Sequence, residues 1–120
     1  MLKDAAGIKK IYIACGYTNL RMGIDGLSLL VQEQFKLNPL EPGTLFLFCG
    51  RRSDRIKGLL FEGDGFLLLY KWQVPGFRFQ WPRTVNEAAE LDSEQYAELM
   101  KGFNPLQEGR IGTVLPDRIE

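Results

Sequence analysis

Residues 44–71, TLFLFCGRRSDRIKGLLFEGDGFLLLYK, decide the fold. Three β-rich apolar runs, Thr44–Cys49, Arg55–Glu62 and Phe66–Lys71, are separated by clusters of Gly, Ser and Asp, the pattern of an antiparallel meander. The Asp64-Gly65 pair predicts a type I′ turn, because both central residues of that turn take positive φ. Pairing outward from it sets Phe61 against Leu68 and Leu59 against Tyr70 on one face, with Leu60 against Leu69 on the other. Both faces are apolar, so the hairpin is expected inside the sheet, covered on each side. The connection Gly50-Arg51-Arg52-Ser53-Asp54 is basic and falls at the same end of the sheet as Lys71 and Trp72. Arg51, Arg52, Arg55 and Lys71 are therefore expected to crowd one rim.

Outward from the meander, Lys10 to Cys15 alternates as a first strand, with Ile11 and Ile13 on one side and Tyr12 on the other. The first eight residues read as a frayed lead-in. Gly16 to Gly23, GYTNLRMG, is a loop and helix entry with Thr18 or Asn19 as candidate N-cap. Ile24, Leu27, Leu30, Val31 and Phe35 then recur at helical spacing, which predicts one amphipathic helix from about Asn19 to Leu37 whose Leu27, Val31 and Phe35 face packs on the sheet. Strand, helix, strand invites a right-handed parallel crossover. In that arrangement the end of the first strand, Arg21, the helix N-terminus and the Arg51-Arg52 loop all meet at one rim. An exposed helix N-terminus adds unpaired N–H groups and partial positive charge, so such a rim attracts anions. An antiparallel first strand would send Arg21 to the far end.

Trp72 to Pro82, WQVPGFRFQWP, is crowded with aromatics, prolines and Arg78, and Arg83 follows. Rings beside arginines suit single-stranded or distorted nucleic acid; for Phe79 and Trp81 core packing is the stronger expectation, since large aromatics carry much of a small domain's burial. After Thr84 the composition turns acidic. Asp92 with Gln95 three residues on marks the start of a short second helix, with Tyr96, Leu99, Met100 and Phe103 as its apolar stripe and Gly102 and Pro105 as its stop. The last dozen residues carry no pattern.

A chain of 120 residues, 45% apolar and 25% charged, fits one small domain. The expected fold is α+β: a mixed or antiparallel sheet of about four strands containing the meander, one main amphipathic helix packed on it, and a short C-terminal helix. The formal charge is zero but unevenly placed. Residues 1–83 hold 12 Lys and Arg against 7 Asp and Glu, net +5, and residues 84–120 hold 3 against 8, net −5. A basic core domain (1–83) with an acidic helix and tail (84–120), part of the same domain or an appendage, is the organisation this predicts. Cys15 and Cys49 end apolar runs and read as small buried hydrophobes, and with no histidine in the chain neither a zinc site nor a Cys-His pair is expected. No apolar run approaches the roughly 20 residues of a membrane span, and nothing resembles a signal peptide, so a cytoplasmic protein is expected.

Several stretches together carry a resemblance: Gly16 to Leu27 (GYTNLRMGIDGL), Leu45 to Lys57 (LFLFCGRRSDRIK), Gly63 to Lys71, and Phe79-Gln80-Trp81-Pro82. Over residues 9–83 the chain resembles the accessory proteins encoded by the second open reading frame of bacterial insertion sequences of the sixty-six family, often called TnpB. The resemblance implies a role in moving a transposable element, alongside a DDE-type transposase and a further small protein, by binding DNA or by assembling the transposition complex. One departure stands out. Where the family has a charged Lys-Arg stretch before its Gly-x-Phe-x-Trp-Pro run, this chain has Trp72-Gln73-Val74-Pro75 and is one residue longer.

Three functions from different classes follow. The first is a non-catalytic accessory factor that holds DNA phosphates through Arg21, Arg51, Arg52, Arg55, Lys57, Lys71, Arg78 and Arg83, a contact that positions protein on DNA without reading its sequence. The second is a scaffold that docks the transposase without touching DNA, with the acidic helix as docking element. The third is an enzyme, and it has the least support: there is no Gly-x-x-x-x-Gly-Lys loop, and Asp25, Asp54, Glu62 and Asp64 sit in turns with no converging carboxylates for a metal. No catalytic residue, metal ligand or cofactor is expected. Against the DNA function stands a plainer one for the same charges, in which Asp54 pairs with Arg51 or Arg55, and Asp25 with Arg21, and the loops are merely stapled. Such surface pairs contribute only about 0–1 kcal/mol each. The sequence does not bear on oligomeric state.

Overall fold

Alternation along the strands builds one sheet with two apolar faces. The computed structural model describes residues 8–83 and 88–102. Its elements are β1 (Lys10–Ala14), α1 (Ile24–Glu33), β2 (Thr44–Cys49), β3 (Arg55–Phe61), β4 (Phe66–Trp72), β5 (Ala88–Leu91) and α2 (Ser93–Met100), and the strands form a five-stranded sheet in the order β4-β3-β2-β1-β5. β1 runs parallel to β2, with Lys10 beside Thr44 and Ile13 beside Leu47, so α1 is the crossover. Every other pairing is antiparallel. The fold is a small α+β domain with a mixed sheet, and the parallel arrangement of the two open alternatives is the one adopted.

One sheet face buries Ile11, Ile13, Leu45, Leu47, Ile56 and Leu60 against Phe79, Trp81, Tyr96 and Leu99. The other buries Ala14, Phe46, Phe48 and Leu59 against Leu27 and Val31 of α1, with Phe35 packed beside them. Full burial of side chains such as Leu27 and Val31 stabilises by about 1.5–3 kcal/mol each. Among the described residues no helix is long and apolar enough to cross a membrane.

Four expectations need correction. The hairpin between β3 and β4 turns on Gly63-Asp64, not Asp64-Gly65. Gly63 has φ of 98° while neither Asp64 nor Gly65 has positive φ, and the Glu62 N–H donates to the Gly65 carbonyl at 2.8 Å, a Gly-first two-residue turn. The pairs are therefore Phe61 with Phe66, Leu59 with Leu68 and Lys57 with Tyr70. The register differs by two residues from Phe61 with Leu68, so each side chain keeps its face. The hairpin is also not interior, because β4 is the edge strand and its side chains are at most half-buried.

Helix α1 is shorter than its apolar pattern. Gly23 is its N-cap, with no side-chain bond, and Asn19 instead accepts the Arg21 N–H at 3.0 Å while the Thr18 N–H donates to Cys49. Finally, β5 is a fifth strand where no strand was expected. Ala-Ala-Glu-Leu has little intrinsic strand preference, and it is drawn into the sheet by the free edge of β1. The predicted helix cap at Asp92 is present in full: Asp92 Oδ1 accepts the Gln95 N–H at 2.7 Å and Gln95 Oε1 accepts the Asp92 N–H at 2.9 Å. The lead-in through Gly7, Phe103, Pro105 and the last dozen residues lie outside the described residues.

Candidate nucleic-acid interface

The crossover and the meander deliver two loops to one end of the sheet. Residues 16–23 leave β1, and residues 50–54 join β2 to β3. Between them lies a cleft of about 670 Å³ whose walls include Tyr17, Arg21, Arg51, Arg52, Arg55 and Tyr70. Its one carboxylate is Asp54, so four guanidinium groups face a single negative charge. A second cleft, about 520 Å³, shares Arg52 and Asp54 with the first and runs along Trp72, Val74, Phe77 and Arg78. The expected meeting of Arg21 with the Arg51-Arg52 loop thus occurs. The cleft wall stops at Arg21, however, and does not include the first turn of α1.

The arginines fall into two kinds. Arg83 works inward: Nη2 donates to the Gly50 carbonyl at 2.8 Å and to Ser53 Oγ at 2.5 Å, and lies 3.4 Å from the Arg51 carbonyl. Arg78 Nη1 donates to the Arg52 carbonyl at 3.0 Å, and the Phe79 N–H donates to the Ser53 carbonyl at 2.7 Å. Ser53, in the left-handed region at φ 63°, is held there by these partners from the 78–83 arm. The loop is therefore shaped through its backbone, and the side chains of Arg51 and Arg52 are left to point into the cleft.

Stapling by carboxylates is slight. Among the described residues the ion pair is Arg55 Nε to Asp54 Oδ1 at 3.7 Å. Arg51 takes Tyr17 instead of Asp54, with its guanidinium carbon 4.4 Å from the ring centroid and Nη2 donating to the hydroxyl at 2.6 Å. Arg55 lies 3.8 Å over the indole of Trp72, and Lys57 Nζ is 5.7 Å from the centroid of Tyr70 while donating to the Met22 carbonyl at 2.9 Å. Lys71 pairs with Ile56, whose side chain belongs to the opposite sheet face, so Lys71 shares the rim with Arg55 but not the cleft.

Phe79 and Trp81 are core residues, 2% and 6% exposed, as their size suggests, and Trp81 Nε1 donates to the Ala14 carbonyl at 2.8 Å. The aromatic residues that face solvent beside the arginines include Tyr17, Tyr70 and Trp72, and none of the three was among the expected phosphate contacts. For the two on β4 the signal is a spacing: Tyr70 and Trp72 lie two apart, opposite Lys57 and Arg55 two apart on β3. It is readable only in the correct hairpin register.

Chemically, the arrangement is suited to holding oxyanions. Both cysteines are buried. Burial pushes the Cys49 thiol up from 9.0 to about 11, with the Arg83 charge pulling weakly the other way, so it stays protonated near neutral pH. No group of three or more Cys, Asp or Glu side chains converges among the described residues.

A family model of IS66 Orf2 like proteins matches residues 9–110. The chain is 38% identical over 95 residues to the uncharacterized protein y4hO of Sinorhizobium fredii, a match spanning 79% of this chain and 81% of that one. It is 28% identical over 104 residues to the uncharacterized protein y4jC of the same organism, spanning 87% and 86%. No solved structure matches it. The chain belongs to the IS66 Orf2-like, or TnpB, family, accessory proteins of insertion sequences that serve transposition and are distinct from the catalytic transposase.

Proposed function

We propose that this protein is a non-catalytic accessory factor that holds the DNA of its insertion sequence by the phosphates, using the arginine cleft at the sheet rim, while a separate transposase performs the chemistry. The observation that carries this is the charge balance of the cleft: Arg21, Arg51, Arg52 and Arg55 against Asp54 alone. Partial enclosure between two loops focuses that charge. Arg52 makes no side-chain bond within the described residues, and Arg51 bonds only to an exposed tyrosine, which a phosphate oxygen can replace. Such binding is weak and tolerant of sequence, which suits a factor working beside a transposase already placed on the element's ends.

Duplex affinity measured across a salt series tests this. Four phosphate contacts give a slope of log affinity against log salt of roughly −3.6, and changing Arg51 and Arg52 together to Ala reduces its magnitude by about 1.8 for all sequences alike. The fold survives, because Arg83 and Arg78 hold the loop by its carbonyls. A folded double variant with unchanged affinity and slope that no longer retains the transposase makes the rim a protein-docking surface instead.

A further inference from the structure

We infer that the DNA taken by this site has unpaired bases, and that Tyr70 and Trp72 of β4 are the platform on which those bases stack. The inference rests on the phosphate-binding proposal and narrows it. Holding duplex phosphates requires cations only, since the bases of a duplex are stacked on one another and a protein ring finds no free base face at the backbone. Yet this rim spends large aromatic side chains on solvent: Tyr70 is 51% exposed and Trp72 60%.

These rings are fixed in place. They sit two apart on one face of a regular strand, with centroids 6.4 Å apart. Each is backed by a cation that is itself anchored. Arg55 lies flat against Trp72 at 3.8 Å while its Nε is paired with Asp54, and Lys57 approaches Tyr70 at 5.7 Å while donating to the Met22 carbonyl. With Arg55 covering one side of the indole, the remaining exposure belongs to its other side and edge. A ring oriented in advance loses little entropy when a base stacks on it.

Cations and rings also form a track. Tyr70 lies in the cleft with Arg21, Arg51 and Arg52; the adjoining cleft, sharing Arg52, continues along Trp72 to Phe77 and Arg78. A basic groove that follows the backbone, edged by aromatic faces, is the arrangement that holds single strands without sequence preference.

The test compares the full chain binding an oligodeoxythymidylate of about 16 nucleotides with a duplex of the same length, at one salt concentration. The single strand is expected to bind more tightly and to quench tryptophan fluorescence. Trp72→Ala weakens single-strand binding roughly 5- to 150-fold and weakens duplex binding, which depends on the ring only through Arg55, far less. Trp72→Phe retains most of the single-strand affinity, which separates loss of a stacking face from any local unfolding. Equal binding of the two probes, with both weakened by changing Arg51 and Arg52 to Ala, overturns the stacking inference and leaves phosphate binding standing. A single-strand preference that survives simultaneous Tyr70→Ala and Trp72→Ala overturns the role of the rings. Binding of neither probe removes both proposals.

Discussion

Trp72 and Trp81 stand nine positions apart in one aromatic, proline-containing stretch, each with arginines nearby, and they have opposite fates. Trp81 is buried on the sheet face that α2 covers, its indole N–H bonded to the Ala14 carbonyl, and its neighbour Arg83 turns inward onto the 50–53 backbone. Trp72 ends the edge strand with its indole in solvent and the guanidinium of Arg55 against it. Similar residue types thus serve as scaffold in one place and as surface in the other. What separates them is where the backbone leaves the sheet: β4 keeps Trp72 on the strand at the open edge, whereas residues 79–82 fold back under β1, as the bond from the Gly16 N–H to the Pro82 carbonyl shows. Composition does not distinguish a binding ring from a packing ring; the satisfaction of its polar atom and the covering of its faces do.

Substitutions sharpen the contrast. Trp81→Ala carries the largest effect, a loss of about 3–5 kcal/mol in denaturant unfolding, because it opens a cavity and strands the buried Ala14 carbonyl. Arg83→Ala comes next. Removing charged hydrogen bonds to Gly50 and Ser53 is expected to cost about 1.5–3 kcal/mol and to speed hydrogen exchange in residues 50–54, where Ser53 loses the partners that hold its left-handed φ. Arg83→Lys is expected to restore part of this, since the contacts all come from the one nitrogen Nη2 and an ammonium also donates several bonds from a single nitrogen. Trp72→Ala has the smallest effect on stability, under about 1 kcal/mol, because it forfeits mainly a surface cation–π contact. A Trp72→Ala protein destabilised as much as Trp81→Ala would break the distinction between the two sites.

Part of this architecture was legible in local pattern. The alternation of residues 10–15 and the outward pairing of the hairpin assigned Ile11, Ile13, Tyr12, Leu59, Leu60, Phe61, Leu68, Leu69 and Tyr70 to sheet faces, and a two-residue difference in register left those assignments intact. The helix face of Leu27 and Val31, the Asp92 capping box and the basic loop at 50–54 were equally readable, since each depends on residues within a turn or two of one another. The family, too, was carried by contiguous motifs.

Register, edges and partners depended on the rest of the fold. Glu62-Gly63-Asp64-Gly65 offers two competent turns, and alternation cannot choose between registers that differ by two. The adopted one seats Gly58 between Leu47 and Leu69, where an added Cβ would come within 3.2 Å of Leu45, and brings Phe61 and Phe66 to 5.1 Å. Ala88–Leu91 became a strand because β1 presented an unpaired edge, not because of its own preference. Which arginines face the cleft was settled in the same way. Arg78 and Arg83 look no different from Arg51 and Arg52 along the chain, but the fold brings the first two within reach of carbonyls of the 50–54 loop, to which they donate, and leaves the guanidiniums of the other two facing the cleft.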